Sequence, residues 1–124
     1  IIGAITAAKI WMNMNHEDRL AKAERTCTVI ASHIKGIEGV DVEVQENTIG
    51  HDPHGVKITL TKKGASLVSV QEALKNGSPR IWMRCDQDLD GNYDENNARI
   101  SPFGLYPGED EIVGSRLSEE LKKL

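Results

Sequence analysis

The fold is decided by residues 40–61, which read VDVEVQENTIGHDPHGVKITLT. Apolar and polar residues alternate at both ends of this stretch, and a period of two indicates a strand with one buried face. The segment 46–55 between them is rich in turn-forming Gly, Pro, Asn and Asp. Two consecutive strands joined by one loop most often pair antiparallel, so the stretch predicts an antiparallel pair near 40–45 and 56–62.

A helical pattern precedes this pair. Apolar residues recur at helical spacing over 1–35, an Asn-rich interruption at 13–18 predicts a bend or break, and Gly36 supplies a C-terminal stop. The helix begins without an initiator Met and without a cap, as in a chain cut from something longer. We therefore expect one domain, residues 1–124, that is a C-terminal fragment, with 1–35 as a linking helix region and 36–124 as an α+β small domain.

Two further helices are predicted after the pair. Ser69 and Glu72 fit a capping box, in which the Ser bonds forward and the Glu bonds back, and they predict a helix near 69–76. Acids in the first turn and lysines in the last favour a final helix near 109–123. Its expected buried stripe comprises Ile112, Val113, Leu117 and Leu121.

The remaining segments predict a third strand and a short fourth one. The apolar run Ile81-Trp82-Met83 predicts a strand near 80–85, and residues 86–97 read as an acidic, Asn-rich loop. Residues 98–103 predict a short edge strand, because Pro102 cannot donate to a central ladder. The resulting order predicts an α+β fold of two layers, a small, mostly antiparallel sheet covered on one face by helices.

Composition excludes several classes of protein. With 124 residues and a net charge of −4, the chain has no basic face with which to displace counterions from nucleic acid. It contains no apolar run of about 20 residues that would span a membrane, and its start lacks the features of a signal peptide. We therefore expect a cytoplasmic protein, and two reduced, partly buried cysteines, Cys27 and Cys85.

The acidic loop resembles a calcium-binding loop in its spacing. Potential oxygen ligands recur at alternate positions around Gly91, which permits a sharp turn. The residues that would hold a cation are Asp86, Asp88, Asp90, Asn92 and Asp94. The twelfth position is Asn97, which cannot give a bidentate carboxylate, so the pattern predicts weak Ca²⁺ binding at best. The alternative is a solvated turn between two strands.

The sequence contains two other candidate binding sites. The segment 51–54, HDPH, offers two imidazoles and a carboxylate but no third strong ligand, so a polar hairpin loop is preferred to a zinc site. Arg84 closes the apolar run of the third strand, where a guanidinium suits bidentate capture of a carboxylate or phosphate. A structural salt bridge to Asp86, Asp88 or Glu109 is the alternative.

The ordered set of motifs resembles a family of enzymes that use pyridoxal phosphate (PLP) and have the aspartate-aminotransferase fold. The closest likeness is to the branch that contains L-seryl-tRNA(Sec) selenium transferase and D-glucosaminate-6-phosphate ammonia-lyase. It covers nearly the whole chain and is carried by the segments 1–17, 37–40, 70–84 and 105–113, which read IIGAITAAKIWMNMNHE, IEGV, VQEALKNGSPRIWMR and LYPGEDEIV. The acidic loop at 86–97 departs from the family by its length and charge.

The resemblance implies that this chain is the small domain of a homodimeric PLP-dependent lyase or transferase. In such enzymes the lysine that holds PLP, the Asp that pairs with its ring nitrogen and the phosphate cup lie in a large domain, here expected before Ile1. Lys9 is therefore not assigned to the cofactor. The small domain closes over an amino acid or amino sugar acid, with Arg84 as an anion contact. Two alternatives stay open: a non-catalytic binding module with a Ca²⁺-ordered loop, and a regulatory or dimerisation domain.

Overall fold

The computed structural model describes residues 1–46 and 54–124. Helices and strands follow in the order α1, α2, β1, β2, α3, β3, β4, α4. Their bounds are Ile2–Met12, His16–Ile34, Val40–Glu46, His54–Leu60, Leu67–Lys75, Arg84–Gln87, Tyr93–Ile100 and Glu109–Leu121. The predicted α+β fold is confirmed.

The four strands form one antiparallel sheet in the order β1-β2-β4-β3. Val40 pairs with Leu60 at one end of the first ladder, and Glu46 pairs with His54 at the other. The predicted edge position of the last strand is wrong. β4 is central, between β2 and β3, and it ends at Ile100, so Pro102 lies beyond the ladder and disturbs no hydrogen bond.

Helices α2 and α3 cover one face of the sheet, as predicted, and α4 packs against both of them. Alternate strand residues such as Ile58, Ala98 and Cys85 point to this face and are fully buried. Helix α2 contributes Ile30 and Ile34, and it packs against α4, β1 and β2, while α3 packs against β3 and β4. The opposite face carries polar side chains and is the open face of the sheet.

The third strand begins later than predicted. Residues 81–83 form no ladder, and β3 starts at Arg84. Ile81 and Met83 are nevertheless buried and Trp82 is exposed. The alternation therefore predicts burial correctly, but extended backbone becomes a strand only where it forms ladder hydrogen bonds with a neighbour, and the β3–β4 ladder begins at Arg84.

The helical region at the start is broken where the sequence indicates. The side chain of Asn15 accepts a hydrogen bond from the amide of Asp18 and caps α2. At the other end, Gly36 adopts a φ of 87°, a left-handed conformation that suits glycine and ends the helix as predicted.

The two later helices differ from prediction in detail. Helix α3 begins two residues early, because Ser66 rather than Ser69 is its N-cap and accepts from the amide of Val68. The Ser69 hydroxyl donates to the Ser66 carbonyl, so the predicted capping box is wrong. In α4 the stripe is buried as predicted except for Ile112, which is 46% exposed.

Candidate functional site

Arg84 is the first residue of β3, at the free edge of the sheet, rather than the last residue of a strand. Its side chain is exposed and makes no hydrogen bond or ion pair within the described residues. The predicted salt bridges are not formed, because Asp86 instead contacts Arg99, with 3.5 Å between Asp86 Oδ1 and Arg99 Nε. Arg84 also lies opposite Arg99 in the ladder, and like charges in that position repel. Its charge is thus available to an external anion.

Arg84 lines an open depression beside β3, which we call the edge depression. Its volume is about 410 Å³, and its lining residues are Gln71, Glu72, Lys75, Trp82, Met83, Arg84, Gln87 and Tyr93. The Lys75 ammonium lies 5.4 Å from the centre of the Trp82 ring and 3.8 Å from a carboxylate oxygen of Glu72. Two cations, an exposed indole and a phenol therefore surround a space large enough for a small organic acid.

The floor of the edge depression is fixed by buried contacts. The Gln71 side chain accepts a 2.9 Å hydrogen bond from the Cys85 amide, which ties α3 to the edge strand. Met83 and Cys85 are buried beneath it. Burial, followed by the nearby charges of Asp86 and Asp94, raises the pKa of the Cys85 thiol to about 11, so a thiolate nucleophile is not available at neutral pH.

Arg84 was predicted from the sequence, but the residues around it were not. Lys75, Trp82 and Tyr93 come from three separate segments of the chain, and only the packing of α3 on the edge strand brings them together. One signal was present: Trp82 and Arg84 stand two positions apart between buried Ile81, Met83 and Cys85, so they share the outward side of an extended segment.

The acidic segment is a hairpin between β3 and β4. The amides of Asp90 and Asn92 donate to Asp88 Oδ1 at 2.9 and 2.8 Å, and Asn92 Nδ2 donates to Asp88 Oδ2 at 3.0 Å. These hydrogen bonds, led by that of the Asn92 side chain, lower the pKa of Asp88. Gly91, with φ of 84°, completes the turn. The Asp88 carboxylate thus organises the loop through hydrogen bonds.

Asp94 has a similar role in an irregular part of β4. Cys85 pairs with Ala98 whereas Gln87 pairs with Tyr93, so β4 bulges between these two pairs. Asp94 accepts from the amides of Asn96 and Asn97, and the first of these bonds is the main cause of its lowered pKa. Its second oxygen accepts from the Asn97 side chain at 2.9 Å.

Four of the five predicted calcium ligands are therefore already engaged, whereas Asp90 makes a hydrogen bond to the described residues only through its backbone amide. Asp86 contacts Arg99, and Asp88, Asn92 and Asp94 bond within the hairpin and its bulge. Across residues 1–46 and 54–124, no three His, Cys, Asp or Glu side chains are arranged to hold a metal ion. Of the 51–54 segment, the first three residues lie outside the described part of the chain, and His54 begins β2.

Helix α1 presents a second surface. None of its residues is buried, and apolar side chains occur all round it rather than in one stripe. The most exposed are Ile2 at 83% and Met12 at 80%, with Trp11 at 54%. Trp11 packs only locally, with its ring centroid 4.5 Å from that of His16 and 5.0 Å from the Arg19 guanidinium.

A scan against models of known protein families finds no match, and neither does a search of curated protein sequences. Among the described helices, none combines the length and the apolarity needed to cross a bilayer.

Proposed function

We propose that this chain is the small domain of a PLP-dependent lyase or transferase acting on an amino acid or amino sugar acid, in a cytoplasmic homodimer. The observation that carries the proposal is helix α1, which exposes apolar side chains on every side and contacts α2 at Trp11, where His16 and Arg19 lie against the indole ring. An apolar surface of this kind marks an interface with another body. We assign that body as a cofactor-carrying large domain.

The described residues do not fit PLP themselves. Every lysine of the chain is at least partly exposed, and Lys9 lies on the exposed helix α1. A lysine that holds PLP needs a site that also binds the ring nitrogen and the phosphate, and the proposal places that site in the large domain. When bound there, the cofactor supplies the electron sink for breaking a bond at the substrate's α-carbon.

The part of this domain is to bind and orient the substrate. The Arg84 guanidinium can hold a carboxylate through two parallel hydrogen bonds, and the Trp82 ring offers a flat wall beside it. Lys75 adds a second positive charge within the edge depression. The depression is open on one side, so closure of the domain over the large domain would exclude water from the bound substrate.

The cofactor is tested on the full-length protein. Borohydride reduction followed by peptide mapping should place PLP on one lysine outside the 124 residues. A label on Lys9, or on any other lysine of this chain, contradicts the assignment, and so does a protein that binds no PLP. Release of ammonia from a panel of amino acids and amino sugar acids then identifies the substrate class.

The role of Arg84 is tested by Arg84→Gln, with Arg84→Lys as the conservative variant. Loss of a charge-assisted pair costs about 1.5–3 kcal/mol, so KM should rise roughly tenfold or more while kcat changes little. Arg80→Gln is the matched control, because Arg80 is an exposed arginine that does not line the edge depression. An unchanged KM in Arg84→Gln would remove Arg84 from the substrate site.

A further inference from the structure

A notch interrupts the open face of the sheet at Gly55. Gln45 is the partner of Gly55 in the β1–β2 ladder, and Lys57 is the partner of Arg99 in the β2–β4 ladder. Because Gly55 has no side chain, a recess of about 50 Å³ remains on β2, walled by the side chains of Gln45, Lys57, Arg99 and Ser101. We call this recess the glycine notch.

The side chains around the glycine notch are donors and cations. Lys57 and Arg99 stand opposite each other on neighbouring strands, an arrangement that is unfavourable without a counter-charge. Lys57 makes no ion pair within the described residues, and Arg99 has only the 3.5 Å contact to Asp86. Ser101 is held in place by the Phe103 amide, which donates to its hydroxyl oxygen at 3.0 Å.

Among the described residues, the acidic groups nearest to the glycine notch are Glu43 and Asp86. Glu43, opposite Lys57 on β1, accepts a 2.8 Å hydrogen bond from the Gln45 amide group and so stays on the outer strand. Asp86 lies on β3, beyond Arg99. Among the described residues, the row Lys57, Arg99 and Arg84 across the open face is therefore positive, whereas the chain as a whole carries a net charge of −4.

From this geometry we infer that the glycine notch binds a tetrahedral oxyanion, the phosphoryl or sulfate group of a ligand or the free ion. Since roughly 10–15 Å³ is enough to hold one water molecule, the recess of about 50 Å³ has room for one small polyatomic group. The open side leaves room for the rest of a ligand to extend over the sheet. The site is separate from the edge depression, and it does not depend on the proposed enzymatic function.

The inference is tested by titrating the 124-residue chain with inorganic phosphate at low ionic strength, followed by NMR shifts of the backbone amides. We expect saturable 1:1 binding, with the largest shifts at Gly55, Lys57, Arg99 and Ser101. Gly55→Val fills the recess while it keeps both cations, and Lys57→Gln removes one cation while it keeps the recess. Each should weaken binding about tenfold or more, as expected for loss of a charge-assisted hydrogen bond.

Two controls separate this site from general attraction of anions. Lys63→Gln removes an exposed lysine and Arg80→Gln removes an exposed arginine, and neither residue lines the recess. Both should retain affinity within about twofold. Unsaturable binding, or equal loss in Lys63→Gln, overturns the inference, as does full affinity in Lys57→Gln, the variant that does not depend on tolerance of a larger side chain.

The source of the oxyanion is distinguished by the ligand series. Sulfate, methyl phosphate and acetate are titrated beside inorganic phosphate. Methyl phosphate that binds as well as phosphate assigns the site to the phosphoryl group of a larger ligand, and preference for the free ions assigns it to inorganic phosphate or sulfate. Acetate that binds as tightly as phosphate contradicts a tetrahedral site.

Discussion

Helix α1 and the acidic hairpin are both conspicuous in the sequence. The folded chain satisfies carboxylates of the hairpin with hydrogen bonds but leaves the apolar side chains of α1 exposed. The carboxylates of Asp88 and Asp94 accept hydrogen bonds from within the hairpin and its bulge, so these groups are already satisfied. The apolar side chains of α1 remain exposed, with Ile2 at 83%. A conspicuous cluster of residues therefore indicates a binding partner only when, in the folded chain, its polar groups lack hydrogen bonds or its apolar side chains remain exposed.

The largest expected effect is a difference in the free energy of unfolding between a variant of α2 and a variant of α1. Ile30→Ala, in the buried face of α2, should lower the free energy of unfolding by about 2–5 kcal/mol through lost burial and a residual cavity. Ile5→Ala, at a half-exposed position of α1, should change it by less than about 0.5 kcal/mol. Urea unfolding of the 124-residue chain measures both. Comparable losses would show that α1 packs against the domain in solution.

Two glycines, one in the packed helix α4 and one in the exposed helix α1, allow a second comparison of stability. An added Cβ at Gly114 of α4 would come within 2.5 Å of the His33 ring on α2, whereas at Gly3 of α1 it would meet nothing within 4 Å. Gly114→Ala should therefore destabilise by about 1–3 kcal/mol through overpacking. Gly3→Ala should be neutral or stabilising by up to about 1 kcal/mol, since Ala favours helix. Thermal unfolding of the two variants decides, and destabilisation by Gly3→Ala would contradict an unpacked α1.

The elements that sequence predicted well are those in which local pattern and tertiary environment agree. Residues 40–46 and 54–60 alternate because one face of their sheet is buried and the other is open. The break between α1 and α2 was signalled by the Asn15 cap. In each case, the physical cause lies within the segment itself.

The errors in the strands have a common cause in long-range pairing. Tyr93–Ile100 reads YDENNARI, which has low strand propensity, and it becomes the central strand only through its two neighbours. The run at 81–83 reads as a strand but lacks a partner. For the candidate site, Arg84 was identified from its place after an apolar run, whereas Lys75 and Tyr93 reach it through tertiary packing.

A smaller effect is expected for the binding of Ca²⁺ to the acidic hairpin. Because Asp88 and Asp94 already accept several hydrogen bonds each, a cation must displace protein donors, and affinity should be millimolar at best. Calorimetric titration with Ca²⁺ measures it, with Asp88→Ala as the control. A micromolar site lost in Asp88→Ala would revive the alternative of a Ca²⁺-ordered binding module.

The smallest expected effect is the response of the hairpin to acid. The pKa of Asp88 is lowered in the folded chain, so its contribution to stability is present above the unfolded value of about 3.9 and is lost as pH falls through the lower folded value. Asp88→Asn should therefore lose slightly less stability than the parent chain when the pH is taken from neutral to below 3.9. Urea midpoints over that range test this, with Asp90→Asn as the comparison.

Hydrogen–deuterium exchange tests whether α1 is the surface on which a cofactor-carrying large domain packs. The amides of Ile2–Met12 should exchange rapidly in the 124-residue chain, where no residue of the helix is buried, and should be strongly protected in the full-length protein. The amides of Cys27 and Ile30 in α2 should be protected in both and serve as the internal reference. Equal, rapid exchange of α1 in both proteins would show that no large domain packs on this helix.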